Sequence, residues 1–317
     1  PARFTWGFIA SSDNHRARPG TGYKPVDRKV MTEANGPVNT TWAQRVYGES
    51  QSPEAQARFI DRDTLSNMAG FQLTELERQS SFWLTGGLAA VHAATPDRDG
   101  IWDAFQRREV YGTSGPKILL WFDLVDADQR YPMGSVLAAD ALDDGITPTF
   151  EIRAVGAFKQ KPGCPDFVHA GLDADRIENL CSGECDHPSD ERHPITRIEV
   201  VRIRRQANPD EAVETLIDDP WTVIECDGDP AGCVARVSDD DFAEAPRDVL
   251  YYARAIQAAT PTINADNLRC EYDAEGNCVR VNPCYGDFRT DEADNCTAPA
   301  EHRAWSSPIY LNPRDAG

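Results

Sequence analysis

The 317-residue chain is short of positive charge: 32 lysines and arginines stand against 52 aspartates and glutamates, a formal net charge of −20. A field of that sign repels phosphate backbones and anionic lipid surfaces, which excludes nucleic acid as a partner and suits a salty or extracellular medium. Long apolar runs are missing as well. No stretch approaches the ~20 residues that a membrane helix needs, which excludes membrane insertion by helices. No signal peptide opens the chain. It starts at Pro1 instead of Met, so a leader is expected to have been removed together with whatever preceded it. Internal repeats and low-complexity tracts are absent too. What remains, a hydrophobic fraction of 40% over 317 residues, is adequate for a core and leaves room for about two domains of roughly 150 residues.

Cysteine is missing from the first half, yet nine cysteines fall between Cys164 and Cys296. Cys226/Cys233, Cys270/Cys278 and Cys284/Cys296 each enclose Gly, Asp or Asn turn residues, a pattern of loops stapled by disulfides in an oxidising compartment, periplasmic or extracellular. Cys164, Cys181 and Cys185 are left over, with one of them unassigned. The rival reading for this group is zinc: Cys181-Ser-Gly-Glu-Cys185 has a permissible ligand spacing, and His187 and His193 follow it. No second tight cysteine pair completes that pattern.

The chain opens on an apolar run, Phe4 to Ile9, that reads as a short buried strand. It ends in Ser11-Ser12-Asp13-Asn14-His15. Residues 16–50 read as a long loop rich in Gly, Pro, Arg and Asn. Ser52-Pro53-Glu54 has the chemistry of a helix start, and a polar helical stretch is expected from there towards Leu76. Leu88–Ala93 reads as a second short buried strand. Thr95-Pro96-Asp97 starts a helix whose apolar face is Ile101, Trp102, Ala104, Phe105 and Val110, closed by Arg107-Arg108-Glu109. Val110–Thr113 is then a strand leading into a turn. Strand, helix, strand is the repeat of an α/β barrel or layered sheet.

From Lys117 the texture changes. Ile118–Asp123, Thr147–Ala154, Ile195–Ile203 and Asp248–Ile256 read as strands. In the third, Ile195, Arg197, Glu199 and Val201 interleave with Thr196, Ile198, Val200 and Arg202, as in a half-buried antiparallel strand. Turn signals recur and no strong helix appears, so this half is expected to be a β-sandwich. The boundary falls near residue 117, giving domains 1–116 and 117–317.

Asp13 and His15 carry the clearest chemistry. A carboxylate supplies a hard oxygen and an imidazole a borderline nitrogen, and on a strand pleat residues two apart point the same way, an arrangement suited to a divalent metal. The bland alternative is a loop and capping pair. The wider segment, Ser12-Asp13-Asn14-His15-Arg16-x-Arg18-Pro19-Gly20-Thr21-Gly22, resembles the last metal motif of the PHP (polymerase and histidinol phosphatase) superfamily of metallohydrolases. More closely, the chain looks like the secreted family catalogued as domain of unknown function 3604. The supporting stretches are Gly86–Val91, Ile101–Phe105, Arg107–Pro116, Arg197–Ile203, Tyr251–Gln257 and Arg303–Tyr310, in family order along nearly the whole chain.

That resemblance implies an α/β fold, the C-terminal part of a distorted (β/α)7 barrel, followed by a disulfide-containing antiparallel β-sandwich. It also implies hydrolysis at two or three divalent ions of zinc, manganese or iron. Asp13 and His15 are the metal ligands and catalytic residues it carries over. The earlier His-x-His ligands of the superfamily have no counterpart among His15, His92, His169, His187, His193 and His302. The missing ligands are therefore expected in an N-terminal portion of the same protein, absent here or a separate chain. Arg16 and Arg18 suit an anionic group of a small-molecule substrate, and equally the many surface acids. Arg16 is placed with the catalytic pair.

Thr113 and Ser114 offer hydroxyls for substrate, or only a strand-end turn. No Gly-x-Ser-x-Gly setting makes Ser114 a nucleophile. His92 and His302 read as structural. Asp126-Ala127-Asp128 and Asp239-Asp240-Asp241 read as solvated loops without an EF-hand pattern. The expectation is a portion of an exported metal-dependent hydrolase acting on an ester, amide or phosphoester, its sandwich walling the cleft or mediating homo-oligomer assembly. The alternative is a non-catalytic, disulfide-stapled binding or assembly module.

Overall fold

The computed structural model describes residues 4–11, 24, 37–47, 61–67, 69–70, 87–138, 147–242, 247–285, 287–291 and 293–312. Among the described residues, helices α1 (Thr40–Tyr47), α2 (Arg62–Asn67) and α3 (Arg98–Arg107) belong to the first third, and α4 (Asp166–Gly171) and α5 (Ala174–Cys181) form a small insertion further on. The strands are β1 (Leu88–Val91), β2 (Val110–Thr113), β3 (Leu119–Asp126), β4 (Gln129–Pro132), β5 (Val136–Ala138), β6 (Thr149–Val155), β7 (Phe158–Gln160), β8 (Pro188–Arg192) and β9 (Ile195–Arg204). They continue with β10 (Ile217–Glu225), β11 (Cys233–Ser238), β12 (Val249–Gln257), β13 (Thr260–Ile263), β14 (Glu271–Tyr272), β15 (Cys278–Arg280), β16 (Thr297–Ala300), β17 (Arg303–Ser306) and β18 (Ile309–Asn312).

Two sheets face each other. The larger has eight strands, β1-β2-β17-β12-β18-β5, with β9 along the other edge of β12 and β10 beyond it. It is mixed, because β5 joins β18 in parallel while the other pairings are antiparallel. The smaller sheet is β11-β6-β3-β4, all antiparallel. Alternation builds the layer between them. β3 buries Leu120, Phe122 and Leu124, β6 buries Phe150, Ile152 and Ala154, and β12 buries Val249, Tyr251, Ala253 and Ala255. Period-two side chains on facing sheets make one apolar layer, in which the rings of Phe150 and Tyr251 meet at 4.5 Å.

The fold is thus mostly β, with no (β/α) barrel among the described residues. The strand–helix–strand of β1, α3 and β2 is not a barrel repeat. A barrel unit needs parallel strands and a crossover, whereas here Leu88 pairs with Thr113 and Val91 with Val110, antiparallel. β2 then continues into β17, from the far end of the chain, so one sheet runs across residue 117.

The start and stop of α3 are as the sequence predicts. Asp97 caps it, accepting from the Gly100 N–H at 2.8 Å, and Arg108 ends it in the left-handed region at φ 60°. Its expected apolar face is mostly open: on the helix only Ala104 is buried, and Val110, expected on the same face, is buried in β2 instead.

The opening run departs most from expectation. Phe4–Ile9 forms no strand, and Phe4, Trp6 and Ile9 are 84%, 55% and 64% exposed. Side chains replace the missing ladder. The Tyr310 hydroxyl donates to the Trp6 carbonyl and accepts from its N–H, both at 3.1 Å. The Phe8 N–H donates to Ser307 Oγ at 2.9 Å, and the Phe8 ring sits edge-on to Tyr252 at 5.3 Å.

Asp239 is also not the solvated acid its run suggests: it is 1% exposed. Arg202, reaching across from β9, explains the burial by meeting both oxygens of its carboxylate.

Candidate functional site

Asp13, His15, Arg16 and Arg18 lie outside the described residues. The helix start at Ser52 and the stretch towards Leu76 fall largely outside them too, with α2 inside that stretch. The segment that leads to Asp13 is placed. A Cβ on Gly112 would stand 3.0 Å from the Ala10 Cβ, and one on Gly87 would stand 2.9 Å from the Ser11 carbonyl oxygen. The chain therefore runs over β2 and reaches, at Ser11, the end of the sheet where Leu88 pairs with Thr113.

Thr113 and Ser114 are at that same end, engaged within the protein. Thr113 Oγ1 accepts from the Gly115 N–H at 3.2 Å. Ser114 Oγ accepts from the Arg303 N–H at 2.9 Å and pairs with His302 Nδ1 at 3.0 Å. The second nitrogen of His302 meets Thr262 Oγ1, also at 3.0 Å. His302 is structural, as read from the sequence. Burial first, and the nearby His193 second, push its pKa down to about 4, which leaves the imidazole neutral at pH 7. His92 is structural as well, its Nε2 lying 2.8 Å from the Leu120 carbonyl and its ring between Tyr111 and Trp121.

The three close cysteine pairs are disulfides as predicted, and the fourth joins Cys164 to Cys185. The Cα separations, 4.7 to 5.8 Å, are ordinary for such bridges. Cys181 is the residue left outside them, buried with its Sγ donating to the Ile177 carbonyl and 2.7 Å from Cys185 Sγ. The bond between Cys164 and Cys185 speaks against a zinc site built on Cys181 and Cys185, because a bonded sulfur has no thiolate to offer. His187 turns its Nδ1 to the Pro162 carbonyl at 3.1 Å.

His193 belongs elsewhere, in a cleft of about 460 Å³ between the β7–β8 hairpin, the start of β13 and the Pro116–Lys117 link after β2. Ligand sites commonly have volumes of this order. Phe158, Pro116, Pro188 and Pro261 give it apolar walls, and Gln257, His193 and His302 line it with polar groups. Burial, and after it the charge of Lys159, holds the His193 pKa below its ordinary value. At the rim Lys117 pairs with Asp186, and Lys159 with Glu191 at 2.9 Å. Arg192 stacks its guanidinium 3.6 Å from the Phe158 ring centroid and donates to the Gly156 carbonyl at 2.7 Å. The sequence gives one sign of Gln257, an uncharged amide closing the otherwise apolar alternation of β12. It gives none of the cleft, whose walls come from five separate parts of the chain.

The carboxylate and imidazole of Asp13 and His15 have the donor chemistry for a divalent ion. The described residues hold candidate ligands of their own. Their two groups within ligating distance are Cys164, Cys181 and Cys185, and Cys284, Asp294 and Cys296, both made largely of disulfide sulfur. A bonded sulfur has no thiolate to offer, so neither group suits a hydrolytic ion.

Fold and site together define a disulfide-stapled, β-rich protein with a ligand-sized cleft at one end of its larger sheet. The chain belongs to the family described as protein of unknown function DUF3604, whose model matches residues 2–313. No curated protein matches the chain.

Proposed function

We propose that the chain is part of an exported metal-dependent hydrolase of the PHP type, with Asp13 and His15 as two of its metal ligands. The observation that supports this reading is the path of residues 4–11. Hydroxyls of Ser307 and Tyr310 hold the backbone of that segment, and Ser11 arrives against Gly87, two residues before the motif begins. A metal ligand works only if its backbone is held, and the strapping holds the segment that leads to the motif. A divalent ion there supplies Lewis acidity and an activated water for an ester, amide or phosphoester. Arg16 and Arg18 orient an anionic group of a small-molecule substrate. The remaining ligands of a site with two or three ions come from the portion of the protein preceding this chain. Four disulfides support export to the periplasm or beyond.

The test is metal analysis by mass spectrometry on the protein with its preceding portion. Stoichiometric zinc, manganese or iron is expected, and it falls in Asp13→Ala and His15→Ala together with esterase or phosphodiesterase activity. Unchanged metal content in both variants removes the assignment. The second reading, a non-catalytic binding module, is favoured by the cleft, which described residues line with apolar walls and polar groups.

A further inference from the structure

Gln257, the last residue of β12, is 0% exposed. Its backbone N–H donates to the His302 carbonyl at 2.8 Å, and its Oε1 accepts from the Ala157 N–H at 2.9 Å. The Ala157 contact fixes the amide orientation, because an N–H can be received only by the oxygen end. Nε2 is consequently turned away from Ala157, and among the described residues no acceptor meets it. Buried amide donors are almost always paired, and one left over calls for an explanation. Here the residue lines the cleft described above.

The rest of the cleft indicates what would pair with it. Its walls, Phe158 and the prolines, take an apolar body. Its rim carries Lys117 and Lys159, whose ion pairs with Asp186 and Glu191 are exposed. Exposed pairs of this kind are weak and exchange partners at little cost. Two exchangeable ammonium groups on a cleft that is also lined by a buried, unpaired N–H donor, in a chain of net charge −20, form a local site for an anion with one apolar side.

We propose that this cleft binds a small organic carboxylate. One carboxylate oxygen accepts from Gln257 Nε2, the charge is met by the Lys117 and Lys159 ammonium groups, and the apolar body lies against Phe158. The site goes beyond the hydrolase reading, since none of its groups needs a metal.

The experiment is a titration of the whole protein, followed by ligand-observed NMR and calorimetry, with benzoate, phenylacetate and acetate against benzamide and benzyl alcohol. It is run with and without a chelator, so that loss of a metal site and loss of this site are told apart. Saturable binding of the aromatic carboxylates is expected, unchanged by chelator and stronger than that of their neutral analogues. Gln257→Glu keeps the acceptor towards Ala157 and replaces the free donor by a second acceptor, so binding should weaken by about tenfold or more. Lys117→Gln, a surface change, should weaken it by roughly threefold and serves if Gln257→Glu does not fold. The proposal is overturned if no carboxylate binds, if the neutral analogues bind equally well, or if affinity survives the variants that fold.

Discussion

Tyr251 donates its phenolic hydrogen to Asp239 Oδ2 at 2.6 Å, and the two oxygens of the same carboxylate accept from Arg202 Nη1 at 3.0 and 2.9 Å. Asp239 follows β11 of the smaller sheet, whereas Arg202 and Tyr251 belong to β9 and β12 of the larger one. The carboxylate is therefore a buried polar cross-link between the two layers, beside the Cys226–Cys233 bridge and the His92–Leu120 hydrogen bond. Burial, with Asp239 adding to it, raises the pKa of Tyr251, so the phenol keeps its proton. Asp239→Ala leaves a phenol and part of a guanidinium buried without their partner, and should cost about 3–5 kcal/mol. Tyr251→Phe removes one hydrogen bond and should cost about 1 kcal/mol. Urea denaturation measures both, and equal small losses would show that the carboxylate does not join the sheets.

His302 makes stability depend on pH. Its folded pKa is about 4 against an ordinary 6.5. Between those values the unfolded chain binds a proton that the folded chain refuses, so stability falls as pH drops from about 6.5 towards 4 and levels off below. The loss is on the order of 3 kcal/mol for a shift of that size at a side chain with both nitrogens engaged. His302→Gln titrates nowhere in this range. The difference in unfolding free energy between variant and parent should therefore slope between pH 6.5 and 4. A flat difference would refute the assignment.

Much of the second half is legible from period-two burial. Ile198 and Val200 face the core while Arg197 and Glu199 face outward, as the alternation in β9 predicts. The disulfides of the three close pairs are legible because turn residues lie between their cysteines. The first third is less so. A short apolar run such as Phe4–Ile9 has the composition of a buried strand, but whether it finds a ladder depends on neighbours that composition does not encode. β1, α3 and β2 have the local chemistry of a barrel repeat, yet β1 pairs with β2 antiparallel and β2 pairs in turn with the distant β17. Of the candidate site, Asp13 and His15 are visible as a motif. The Ser114–His302–Thr262 chain and the Gln257 cleft are not, since each joins residues far apart in sequence.

The cysteines give a count that can be checked directly. Unreduced, denatured protein should show one thiol per chain, and alkylation mapping should place it at Cys181. In Cys164→Ser the partner of Cys185 is lost, but Cys181 Sγ is 2.7 Å away and should take its place. That variant should show no thiol at all. Two thiols in it would mean that the helix α5 holds Cys181 too rigidly for the exchange, and more than one in the parent would contradict the four-bridge framework.

Gly156 offers a test of the cleft floor by backbone alone. A Cβ there would stand 1.8 Å from the His193 carbonyl oxygen and 3.6 Å from Gln257 Oε1. The first distance is far inside contact, and a carbonyl on the main chain cannot rotate away as a side chain does. Gly156→Ala must push β7 and the residues before β9 apart, which disturbs the Ala157 N–H that orients Gln257 and the Ala157 carbonyl that receives the His193 N–H at 2.9 Å. The expected loss is about 1–3 kcal/mol or more, as for overpacking in a rigid setting. Gly163→Ala is the matched control for lost glycine freedom, since its added Cβ meets nothing within 4 Å while its φ of +72° is itself strained. Thermal unfolding of both should show a larger loss for Gly156→Ala, and only that variant should change the chemical shifts of the His193 and His302 rings.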